Sequence, residues 1–194
     1  MSTAEQRHAA FLAIELRNFT RLAEMLEPAK VLELANDCFS LVAMAVSVNR
    51  GKPLSVLNDM LLAAFSSERK DFAERALKAA QDVKREFGAM GEQRKTRDGL
   101  AAVSCALHLG DAVFGKAGPI GAQHFVAFGD CVSMTVRLVH RARAGEIILS
   151  ADFVNALGPA AKSMKLQALP ALELTKRPPI ALYGLPLEPR LELT

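Results

Sequence analysis

Residues 8–16, HAAFLAIEL, constrain the fold of this chain more than any other stretch. The run is mostly apolar and reads as a buried strand, yet it carries a carboxylate, Glu15, at its end. The chain turns helical immediately afterwards, at FTRLAE. Thr20 is placed to cap that helix, its hydroxyl accepting a hydrogen bond from an orphan amide.

The helical pattern runs on to about Val48, with a break at Pro28. KPLSVLNDMLLAAFS, residues 52–66, then gives two short apolar runs around Asn58-Asp59. Asn tolerates the positive φ of a tight turn, so the segment predicts a β-hairpin. Phe72, Ala76, Ala80, Val83 and Phe87 recur at helical spacing, and the polar GEQRKTRDG that follows reads as a loop. LAAVSCALHLG and DAVFGKAG look like strands, DCVSMTVRLVHRARAG like a helix ending at Gly145, and EIILS like a strand. The tail, MKLQALPALELTKRPPIALYGLPL, reads as edge strands broken by prolines. Strands interleaved with helices predict an α+β fold, a sheet with helices packed on it.

Composition narrows the function. A chain of 194 residues, 51% hydrophobic, suits one compact domain. The net charge is only +3 and the basic residues come in small groups, which argues against a nucleic-acid footprint. Cys38, Cys105 and Cys131 lack zinc or disulfide spacing, which predicts a reducing, cytoplasmic setting. The most apolar run, FSLVAMAVSV, is well short of the roughly 20 residues a membrane span needs, and no signal peptide opens the chain.

If the first strand lies beside the hairpin, Glu15 and Asp59 converge. Two carboxylates facing one pocket commonly hold Mg²⁺, which also draws on substrate phosphates. The amides opening the helix at Phe19 and Thr20 would suit a triphosphate. The plainer alternative is a solvent-exposed Glu15 and an Asp59 that serves only its turn.

Taken together, these segments resemble the catalytic domain of the class III adenylate and guanylate cyclases. AIELRNFTRLAE is similar to that family's ADIRGFTRLAE-like opening, and VLNDMLLAAF to its hairpin, usually written with Gly-Asp. ALHLGDAVFGKAG resembles GIHTGEVVVGNIG, FGDCVSMTVRL resembles IGDTVNLAARL, and AGEIILS and LELTKRPPIALYGL match the ending. The likeness spans roughly residues 8–187 within a single domain of 1–194.

The resemblance implies a ferredoxin-like antiparallel sheet with helices on it, a head-to-tail homodimer or a heterodimer with another cyclase-type domain, and nucleotide sites at the interface. It implies Mg²⁺ or Mn²⁺, with ATP or GTP. In such enzymes two Asp-held metal ions activate the ribose 3′-hydroxyl, which attacks the α-phosphate and expels pyrophosphate. By that resemblance the metal positions fall on Glu15, one methylene longer than the usual Asp, and on Asp59. The transition-state Arg falls on Arg137, whose alternative is an ordinary surface arginine. Lys176 and Arg177 lie close to a late phosphate-contacting Lys.

Three positions depart from the family. The purine-reading Lys falls on Ser55, its Asp partner on His124, and the ribose Asn on Ser133. Asn18 and Asn58 replace the usual glycines. Lys52, three residues before Ser55 on a strand, is expected on the other face, and His124 in a solvent-facing turn. The resemblance therefore points to a degenerate, dimerising, nucleotide-sensing signalling domain. The alternative is an active purine nucleotidyl cyclase, alone or as the metal-bearing half of a heterodimer. A ferredoxin-like interaction domain that binds no nucleotide is the third reading.

Overall fold

The structure, a computed structural model, describes residues 4–94 and 102–185. At its centre is β1 (Glu5–Leu16), buried without a break from Ala9 to Leu16. β1 pairs antiparallel on one side with β3 (Met60–Ser66) and on the other with β4 (Val103–Ala117). β2 (Lys52–Leu57) flanks β3. Beyond β4 the order continues through β6 (Ile147–Ser150) and β8 (Arg177–Leu185) to β7 (Gln167–Leu174), while β5 (His124–Phe128) pairs with β4 off this path.

Helices cover both faces, which is why β1 shows no alternation. On one face α2 (Pro28–Val48), α3 (Phe72–Arg94) and α5 (Ala151–Leu157) pack on Leu12, Ile14, Phe65 and Leu107. The alanines of α3, among them Ala76, Ala79 and Ala80, are fully buried and let that helix sit close to the sheet. On the other face α4 (Asp130–Val139) lies over Ala13, Leu62, Ala106 and Ile148 through Leu138 and Val139. Pro28 opens α2 at its first turn, where its missing N–H costs nothing, so it separates α2 from α1 (Phe19–Met25). Ser150 caps α5 by accepting a hydrogen bond from the Phe153 amide.

The sheet is mixed rather than antiparallel throughout, because β4 and β6 run parallel. LAAVSCALHLG and DAVFGKAG are not two strands: β4 runs straight through Gly110 and Asp111. His124 lies in no turn; it opens β5 opposite Ala117. The cap of α1 is Asn18, in the left-handed region at φ 63° with no side-chain cap bond, and Thr20 sits inside the helix. α3 extends to Arg94, past the start of the expected loop, whose residues 95–99 lie outside the described residues.

α4 ends at Val139 rather than Gly145, in a turn closed by Arg141 N–H to Leu138 O and Ala142 N–H to Val139 O. In the tail only β7 is an edge, since β8 lies between β6 and β7. Pro170, Pro178 and Pro179 are tolerated because the β7–β8 register shifts around them, between Leu169, Leu172 and Leu174. FSLVAMAVSV is the end of a longer helix: α2, at 21 residues, is long and apolar enough by length and composition to cross a bilayer. Cys38, Val42 and Val46 seat it in the core of the domain.

Candidate functional site

The hairpin forms as the sequence predicts, turning at Asn58 with φ 53°. Its register brings the two candidate metal positions to one end of one strand pair. Glu15 stands opposite Met60, and the Leu16 amide donates to the Asp59 carbonyl at 2.8 Å. The Asp59 carboxylate makes no hydrogen bond or ion pair with another described residue and is half-exposed.

Glu15 is differently placed. Its Oε1 lies 3.2 Å from His140 Nδ1, and its Oε2 lies 3.2 Å from Arg17 Nη2. That second contact is an ion pair without hydrogen-bond alignment, and Oε2 is a buried oxygen with no hydrogen-bond partner. The Arg17 guanidinium is itself fixed: Nε donates to Ser104 Oγ, and Nη2 donates to the carbonyls of Val139 and Ala142. Both carbonyls lie at the C-terminal end of α4 and in the turn that follows it, where a cation is favoured.

α4 carries the next group. Asp130, Ser133, Arg137 and His140 recur at helical spacing and are all exposed, while Cys131, Met134, Leu138 and Val139 face the sheet. Ser133 and Arg137, four residues apart, therefore share the outer stripe. At its start, Asp130 accepts two hydrogen bonds from Arg177, both at 2.7 Å. That bidentate guanidinium holds the Asp130 carboxyl below its usual range. Lys176, at φ 61°, makes the turn between β7 and β8 that delivers Arg177.

At β2 the structure overturns one expectation. A bulge between Pro53 and Ser55 pairs Lys52 with Ala64 and Ser55 with Leu62. Ala64 and Leu62 are two apart on β3 and both face the α4 side, so Lys52 and Ser55 share a face. Lys52 Nζ lies 3.4 Å from the centroid of the Phe125 ring, next in sequence to His124. Adjacent strand residues alternate, so His124 points away from Lys52. Phe19 is half-buried and packs on the core, while Thr20 is exposed beside it.

The fit of a divalent ion follows from these contacts. Among the described residues no group of three or more His, Cys, Asp or Glu gathers to hold a metal. Glu15 has one oxygen against His140 and the other buried against Arg17. An ion bound there would sit beside a guanidinium that cannot leave without surrendering its bonds to Ser104 and to α4. Glu15 thus does not fit the role of metal ligand as it stands, whereas Asp59 is open to one.

Arg17, His140 and Asp130 escaped the sequence reading. A signal for two of them was available: Asp130 and His140 fall on the Ser133–Arg137 stripe, at minus three and plus three. Arg17 gave none, because its partners Ser104, Val139 and Ala142 are remote in sequence.

The profile of the adenylate and guanylate cyclase catalytic domain matches residues 2–185. An adenylate cyclase of Anabaena cylindrica is 23% identical over 140 residues, which are 71% of this chain and 28% of that protein. The chain thus matches less than a third of that relative's length. Among solved structures, the adenylyl cyclase CyaB from P. aeruginosa superposes with a TM-score of 0.84 at 17% identity, covering 97% of this chain and 98% of that one. The guanylate cyclase domain of RhGC from Catenaria anguillulae, solved in complex with GTP, gives 0.80 at 17% identity, with 94% and 98% covered. These likenesses agree with the mixed sheet and its helices.

Proposed function

The chain belongs to the adenylate and guanylate cyclase catalytic domain family, and from that premise we propose that it acts as a dimerising, nucleotide-sensing signalling domain with little turnover of its own. Domains of this family dimerise, bind nucleotides and use divalent metal. Here Mg²⁺ or Mn²⁺ would accompany ATP or GTP, with Asp59 the carboxylate free to meet it. Phe19, Thr20 and Lys176 would lie along the phosphates. Arg177 would join them only by leaving Asp130. The three buried cysteines, which form no disulfide, suit a reducing, cytoplasmic setting.

The observation that carries this reading is that Ser55 and His124 stand where the family's charged Lys and Asp read the base, and Ser133 where its Asn amide orients the ribose, in a domain that otherwise keeps its fold. A charge-assisted hydrogen bond contributes about 1.5–3 kcal/mol. Losing two therefore slows turnover by roughly a hundredfold or more, at about 1.4 kcal/mol per factor of ten.

A second reading, an active cyclase alone or as half of a heterodimer, is favoured by one observation. Asp59 and Arg137 are retained and exposed enough to act. A partner domain could then supply the missing purine-reading set. The deciding experiment is cyclic-nucleotide formation from ATP and GTP with Mg²⁺ and with Mn²⁺. The signalling-domain reading expects nucleotide binding by calorimetry without product. Product that disappears in Asp59→Ala would replace it with the second reading, and absence of all nucleotide binding would leave an interaction domain.

A further inference from the structure

Three facts about the end of β1 belong together. The carboxylate of Glu15 is 11% exposed and already lies against two basic side chains. Oε2, the oxygen nearest the guanidinium, is shut off from solvent. The guanidinium is anchored through Ser104, Val139 and Ala142, so its position does not depend on Glu15 alone. A carboxylate one methylene shorter would draw back from both partners, so the Glu at this position is what completes the contact.

We propose that Arg17 is the resident cation of this site: it neutralises Glu15 in place of a first divalent ion, and together they fasten the end of α4 to β1. Glu15 and Arg17 are then positioning residues. They fix α4, and with it Ser133 and Arg137, relative to the hairpin end, and Asp59 is the single carboxylate left for a metal ion. The inference rests on the reading of positions 15 and 59 as the metal end of the site, but its thermal test below does not.

Mn²⁺ alone is titrated into the full chain and followed by electron paramagnetic resonance, in the native protein and in Glu15→Gln, Asp59→Ala, Arg17→Gln and Arg17→Lys. The expected result is that Glu15→Gln leaves Mn²⁺ affinity within about twofold, whereas Asp59→Ala lowers it about tenfold or more, since loss of even an outer-shell partner of a bound metal costs that much. Arg17→Gln should raise the affinity, and Arg17→Lys, which keeps the charge, should return it to the native value. A drop of about tenfold in Glu15→Gln overturns the proposal. If Asp59→Ala also leaves binding unchanged, the assignment of the metal end fails instead. Should no form bind Mn²⁺, melting temperatures of Glu15→Gln, Arg17→Gln and the double variant decide. Non-additive losses uphold the pair, and additive losses sink it.

Discussion

At the scale of single residues, the site turns on where charges are held. Lys52 shares a face with Ser55, and its ammonium rests on Phe125. A cation–π contact at an exposed site is worth about 0.5–1 kcal/mol, less than the 1.5–3 kcal/mol of a charge-assisted hydrogen bond. Lys52 can therefore leave the ring for a purine. Lys52→Ala should weaken ATP or GTP binding about tenfold, measured by calorimetry, and unchanged affinity would keep the ammonium on Phe125. His108 gives a pH dependence. Burial holds its pKa below 6.5, outweighing the opposing charges of Asp152 and Asp130, and its Nδ1 lies 2.8 Å from Ser150 Oγ. The unfolded chain then binds more protons than the folded one just below pH 6.5, so the stability from a neutral His108 is whole above that value and lost as pH falls beneath it. Thermal melts from pH 8 to about pH 5 should fall less steeply in His108→Gln than in the native chain.

At the scale of elements, α4 depends on how closely its start approaches β4. A Cβ at Gly129 would lie 2.9 Å from the Asp111 carbonyl and 3.2 Å from Ala112 Cα, both backbone atoms that cannot swing aside. Gly129→Ala should cost about 1–3 kcal/mol in urea unfolding and displace the helix bearing Ser133 and Arg137. The elements themselves were largely legible, because a run such as HAAFLAIEL or the Phe72–Phe87 periodicity is written in local pattern. The Asn58 turn was legible for the same reason, as positive φ selects few residue types. The β2 bulge was not, since an extra residue in one strand shows only against its partner's register, and it reversed the placing of Lys52. β5 hid because HFVAF is short and its pairing with β4 is set by the fold. At the site, the sequence reading named Asp59, Ser133 and Arg137 through the family resemblance, while Arg17, whose partners are remote in sequence, left no local signal.

At the scale of the molecule, the β4–β5 arm is one of the regions that expose large apolar side chains, as the outer face of α2 also does at Leu32, Met44 and Val48. On the β4–β5 arm Val113 stands opposite Phe128, and the two are 43% and 64% exposed, with Ile120 nearby in sequence fully exposed. Val126 and His124 alternate onto the same side of β5 as Phe128. Large apolar side chains clustered on an exposed arm mark an association surface more often than a solvated one. A second cyclase-type domain would bury them, and the same contact would bring one subunit's β5 toward the other's site. Phe128→Glu places a charge where that burial must occur. Sedimentation equilibrium should show the native chain dimeric and Phe128→Glu shifted toward monomer. Its circular dichroism should stay native, because Phe128 contributes nothing to the described core clusters. If both forms sediment alike as monomers, the chain by itself does not self-associate, and the arm awaits a different cyclase-type partner; if both remain dimeric, the interface lies elsewhere on the domain, with the exposed apolar face of α2 the next surface to test.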